Sequence, residues 1–217
     1  MSKRPTRILR KRFIIYCEGD TEYNYIEHMR KNQGVELALR PVNMHGGGYT
    51  SFLNIIKSEA SNNCLAKFII VDGDRARDNE SELRNLESLL DYCIRENRKG
   101  KIPHILILDC PDFEYVACLH DPEYSGQNTE TYISNVFGFK TLERFKSSPE
   151  VYHFLNSSGR SYQEAVKRTK TEKKALENRY HIIRSTYDIG VSDTRFQKER
   201  IWMKGSNIHE FFEIIDW

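Results

Sequence analysis

The chain has 217 residues and nearly balanced charge, 33 Lys+Arg against 31 Asp+Glu, for a formal net charge of +2. With 29% charged and 39% hydrophobic residues it is ordinary globular material, long enough to bury a sizeable core. No run approaches 18 apolar residues, which excludes a membrane span, and near-neutrality excludes a protein that coats nucleic acid by positive charge alone.

The N-terminal stretch MSKRPTRILRKR is basic but leads into no signal-peptide core. Five cysteines (Cys17, Cys64, Cys93, Cys110, Cys118) show no CxxC pair. Their odd number and the missing export signal predict reduced thiols in a cytoplasm. Phe13–Cys17 then reads as a short strand, and Asp20 opens a helix through about Asn32. A second strand is expected over Glu36–Met44, followed by Gly46-Gly47-Gly48 and a helix over Thr50–Ala60. Lys67–Val71 is a third strand, Asp72–Asp78 a polar turn, and Glu80–Arg98 a helix with Leu83, Leu86, Leu89, Leu90 and Ile94 at helical spacing. Gly100 suits a helix stop and Ile105–Leu108 a fourth strand, and Pro111 suits the first turn of a helix through His120.

Continuous apolar strands alternating with helices predict an α/β fold, a mostly parallel central sheet flanked by helices on both faces. This α/β domain is expected over residues 1–120. Residues 121–217 are expected to form a basic, mainly helical extension packed on it, with a helix from Ser161 to about Tyr187. Within Lys140–Lys204 stand 15 Lys/Arg and 8 Asp/Glu.

Parallel sheets place ligand sites beyond the carboxyl ends of their strands, and the polar clusters follow the strands here. Glu18-Gly19-Asp20 follows the first, His45 and the glycines the second, Asp72-Gly73-Asp74 the third, and Asp109-Cys110-Pro111-Asp112 the fourth. Alone, Asp72-Gly73-Asp74 also suits a plain turn in which Asp accepts backbone N–H bonds. Glu18 adds a second acidic strand end, and two such ends repel unless a cation lies between them. Carboxylate oxygens are the ligands that Mg²⁺ or Mn²⁺ prefers, so Glu18, Asp72 and Asp74 form the candidate metal set. Glu22 and Glu114 have two readings, as helix-start carboxylates or as groups facing the sheet end. The glycines fit either a positive-φ turn or close approach to a phosphate. Seven scattered histidines give no zinc spacing, no GxSxG elbow supports serine catalysis, and no GxGxxG supports a dinucleotide.

Strand–Glu-Gly, strand–Gly and strand–Asp-x-Asp on this frame resemble a TOPRIM domain, the metal-dependent module of topoisomerases, primases and OLD-type nucleases. More narrowly, Ile14-Ile15-Tyr16-Cys17-Glu18-Gly19-Asp20-Thr21-Glu22 resembles the opening motif of RloB-like (AbiLii-like) phage-defence proteins. Cys110-Pro111-Asp112-Phe113-Glu114-Tyr115 occupies the place of that family's Asn-Pro-x-Phe-Glu-x-Trp signature, with Cys where the family has Asn. The resemblance implies a Mg²⁺-dependent nuclease acting in abortive infection, often paired with an ABC/AAA-type ATPase. It also implies Glu18 as general acid or base, with Glu22 and Glu114 beside it, and Asp72 and Asp74 on the metal. Arg75 or Arg77 would stand near the leaving group, and Lys167, Arg168, Lys170, Lys173 and Lys174 would track a nucleic-acid backbone. A non-catalytic binding module is the alternative, and DNA against RNA and homo-oligomerisation stay open.

Overall fold

A computed structural model of the chain describes residues 10–34, 36–59, 63–100, 102–180 and 201–217, with only the backbone for 173–180. Four parallel strands form the frame: β1 (Lys11–Cys17), β2 (Leu37–Asn43), β3 (Ala66–Asp72) and β4 (His104–Cys110). Between them run α1 (Asp20–Lys31), α2 (Gly48–Ser58), the short α3 (Asp74–Asp78) and α4 (Glu80–Arg98). After β4 come α5 (Phe113–Leu119), α6 (Thr129–Asn135), α7 (Leu142–Lys146), α8 (Val151–Leu155) and α9 (Tyr162–Tyr180). A two-residue strand β5 (Gly205–Ser206) and α10 (Ile208–Ile215) follow, and the sheet order is β2-β1-β3-β4-β5.

Alternation along each strand divides the core in two. Phe13, Ile15, Phe68, Ile70, Ile105 and Ile107 face one side, with Tyr25 and Ile26 of α1, α5 and Phe211 of α10. Ile14, Tyr16, Ile69, Val71, Leu106 and Leu108 face the other, with Phe52 and Ile56 of α2 and the leucine stripe of α4. Covered on both faces, β3 is buried at all but its last position and β4 throughout, while the edge strand β2 keeps Arg40 exposed. The continuous apolar run is therefore the signal for the inner strands.

Caps set the helix starts. Asn79 Oδ1 accepts from the N–H groups of Ser81 and Glu82, opening α4. Asp112 Oδ1 accepts from Tyr115 N–H at 2.9 Å, so α5 begins after Asp112. Pro111 therefore precedes the helix instead of occupying its first turn, and its peptide bond with Cys110 is cis.

The later helices fold back onto the sheet. Tyr152 of α8 meets Tyr25 edge-on at 5.1 Å, and Phe137, Phe139, Phe145 and Phe154 form an aromatic cluster beside it. On α9, Ala165 and Thr169 are fully buried. β5 joins the frame antiparallel to β4, a strand absent from the sequence expectations, so the second half of the chain completes the sheet as well as covering it. The five cysteines are free thiols, four of them buried. No helix among the described residues is long and apolar enough to cross a membrane.

Candidate functional site

The sheet order makes the connections leave β1 and β3 on diverging paths, and such a switch point opens a crevice at the carboxyl ends. A cavity of about 240 Å³ lies there. Glu18 and Asp20 reach it from the end of β1, Thr21 and Glu22 from the first turn of α1, and Gly46 from the turn after β2. Asp72 comes from the end of β3, Asp74 and Arg75 from the start of α3, Glu114 from α5, and Lys146 from α7. The expected carboxylates thus converge, and their contacts divide them into three kinds.

Glu18 and Glu114 are already neutralised by the protein. Glu18 Oε2 accepts the Asp72 N–H at 2.9 Å, and its Oε1 lies 3.3 Å from Arg75 Nε. Burial still raises its pKa, with the N–H bond and Arg75 opposing that rise. Glu114 accepts from the Thr21 hydroxyl at 2.8 Å and pairs with Lys146 Nζ at 3.0 Å. Burial pulls the Lys146 ammonium down, but attraction to Glu114, Asp72 and Asp112 outweighs it and the net shift is upward. Glu18 and Glu114 thus each have a cationic partner that belongs to the chain itself.

Glu22 and Asp72 are both shifted toward their protonated forms. Glu22 is 3% exposed, and burial, reinforced by Glu114, Glu18 and Asp109, pushes it to about 8. Burial also lifts Asp72 well above the carboxylate range, with Glu22, Glu18 and Glu114 adding repulsion. Its Oδ1 accepts the Phe113 N–H at 2.9 Å, tying the end of β3 to the start of α5. Asp112, beside the cavity, is raised to about 6 by burial and then by Glu114. Of the two readings for Glu22 and Glu114, the sheet-end one describes where their side chains lie.

Asp74 lies partly exposed on the rim, its Oδ1 accepting the Arg75 N–H at 2.5 Å. Arg75 also donates to Gly46 O at 2.9 Å, closing the β2 turn over the cavity. In that turn Gly46 and Gly48 have φ of +66° and +70°, values that glycine adopts without strain, which favours the turn reading of the glycines.

Among the described residues, no three His, Cys, Asp or Glu side chains form a ready-made metal cage. The donor set nonetheless fits a hard dication in kind: six carboxylates (Glu18, Asp20, Glu22, Asp72, Asp74, Glu114) line one small cavity, and mutual repulsion among desolvated carboxylates is what such an ion relieves. Glu18 has one partner on each oxygen, which leaves lone pairs on both for an ion.

The basic candidates divide too. Arg77 sits on α3 with Nε 3.5 Å from Asp78. On α9, Lys167 pairs with Glu164 at 3.2 Å and Lys170 with Glu213 of α10. Arg168 turns inward and donates to the carbonyls of Asp121 and Tyr124, which makes it a strut under the α5–α6 connection. The side chains of Lys173 and Lys174 lie outside the described residues. His120, which follows α5, is buried against Tyr25.

Sequence reasoning passed over Thr21 and Lys146. Thr21 stands inside the Glu18–Glu22 motif, where its hydroxyl was a usable signal; Lys146 was one cation of a basic stretch with nothing to single it out. No family model, curated protein or solved structure matches this chain.

Proposed function

We propose that the chain is a TOPRIM-like, Mg²⁺- or Mn²⁺-dependent phosphodiesterase acting on nucleic acid. The observation that carries this reading is the cavity at the ends of β1, β3 and β4 lined by six carboxylates with Arg75 and Lys146. Glu18, Asp72 and Asp74 would hold the ion, which when bound neutralises phosphate charge and lowers the pKa of a coordinated water. Glu22 keeps a proton at neutral pH and is placed to give it to a leaving oxygen. Thr21 and Lys146 hold Glu114 as a fixed carboxylate beside it. Arg75 exchanges its contact with Glu18 for a phosphate oxygen, for which its forked donors are shaped. An antiphage role with an ATPase partner belongs to the same proposal and rests on the resemblance of the opening motif.

A binding-only reading has one observation in its favour: Glu18 and Glu114 are already paired with Arg75 and Lys146. Cleavage decides between them. Purified protein with Mg²⁺ or Mn²⁺ and mixed single- and double-stranded DNA and RNA is expected to cut at least one of them. Chelation or the double variant E18Q/D72N lowers the rate by about a hundredfold or more. Equal rates for wild type and variant reject this site. No cutting, together with no Mg²⁺-dependent thermal shift, leaves the binding module.

A further inference from the structure

The segment that leads into β5 approaches from the side on which the cavity opens. β5 is antiparallel to β4, with Gly205 opposite Cys110, the last residue of β4, and Ser206 opposite Asp109. A chain running into Gly205 therefore descends from beyond the carboxyl edge of the sheet. Three residues before Gly205, and so within about 11 Å of it, stands Trp202. At 65% it is the most exposed large hydrophobic side chain among the described residues.

A lone exposed apolar residue is ordinary on a protein surface, and position is what separates this one. Its neighbours are pinned on either side. Ile201 is 1% exposed and belongs to the core cluster that contains Ala76 of α3 and Cys110. Lys204 holds its ammonium 5.6 Å from the Tyr115 ring centre on α5. Trp202 thus stands exposed on the carboxyl side of the sheet, on a stretch held at one end by Ile201 in the core and at the other by Lys204 against α5. An exposed π-face on the same sheet edge as the carboxylate-lined cavity and Arg75, with Lys204 two residues on, can bind a base while cations take its phosphates.

We propose that Trp202 is a stacking platform for an unpaired base of a single-stranded nucleic acid whose phosphate enters the carboxylate cavity. Stacking needs a base freed from its partner, so the platform selects single strands over duplex, while Arg75, Arg77 and Lys204 take the backbone charge. The inference rests on the phosphodiesterase reading and names its substrate class.

Binding is measured on the full chain in EDTA, with labelled oligothymidylate, oligouridylate and a duplex of equal length, for wild type, W202A and W202F. Single-strand affinity is expected to fall roughly tenfold or more in W202A and to recover largely in W202F, with duplex affinity unchanged throughout. An unchanged melting temperature verifies that removing this exposed side chain leaves the fold intact. Equal single-strand affinity in wild type and W202A overturns the platform, as does failure to bind either single strand. Trp202-dependent binding with no metal-dependent cleavage leaves the platform standing and removes the phosphodiesterase reading. Cleavage that ignores both strandedness and W202A does the reverse.

Discussion

Gly73 stands where the chain leaves β3, pressed against the end of β4. A Cβ there would lie 2.6 Å from Cys110 Sγ and 3.3 Å from the Asp109 carbonyl, and the Gly73 N–H reaches both Asp109 O (2.7 Å) and Pro111 O (2.9 Å). Its φ is −91°, so proximity and not backbone conformation demands glycine. This contact presses the Asp72–Asp74 turn against the start of α5, beside Glu114. G73A is expected to cost about 1–3 kcal/mol in urea denaturation by overpacking. In a C110A background the same change costs clearly less, because the nearest atom is gone. Equal costs in the two backgrounds would show that the close approach is not the reason. In the cavity beside this contact, burial first and then repulsion from Glu114, Glu18 and Asp109 raise the Glu22 carboxyl to about 8.

β5 is two residues long, too short to hold an edge by itself, and the side chain of Asn207 continues its work. Asn207 Oδ1 accepts the Leu108 N–H at 2.8 Å and its Nδ2 donates to Leu106 O at 2.9 Å, so one buried amide stands in for a further strand residue. N207A leaves both backbone groups of β4 buried and unsatisfied, for an expected loss of about 2–4 kcal/mol and faster amide exchange at Leu108. Unchanged exchange there would show that water replaces the side chain at no cost. The inner strands and the long helix α4 were legible in the sequence because the strands are continuous apolar runs and α4 joins a leucine stripe to an Asn79 cap. β5 was not, since Gly205 and Ser206 carry no strand propensity and act only through a partner 97 residues away. Of the site, the carboxylates that end strands could be read from position alone. Lys146 could not, because what brings it to Glu114 is the packing of α7 and α8 around the Phe137–Phe154 cluster, a tertiary event without local trace.

For the molecule as a whole, acid stability is set partly by His120. Its Nδ1 faces Val116 O at 3.0 Å, so that nitrogen carries the proton and Nε2 accepts from the Tyr25 hydroxyl at 2.9 Å. Burial lowers its pKa to about 4 from the usual 6.5. Between those values the unfolded chain binds the extra proton, so the contribution is complete above pH 6.5 and drains away as pH falls toward 4. Wild type is expected to lose on the order of 3 kcal/mol more than H120Q across that window in denaturation series, and parallel profiles would refute the assignment. The late arrival of β5 also bears on synthesis. At about 5–20 residues per second, the 97-residue separation between Asp109 and Ser206 takes a ribosome roughly 5–20 s to cover. Through that interval the outer edge of β4 has its backbone groups ready and no intended partner, which is the condition under which nascent chains pair with one another. The strand added last therefore governs how long a newly made copy needs protection from aggregation.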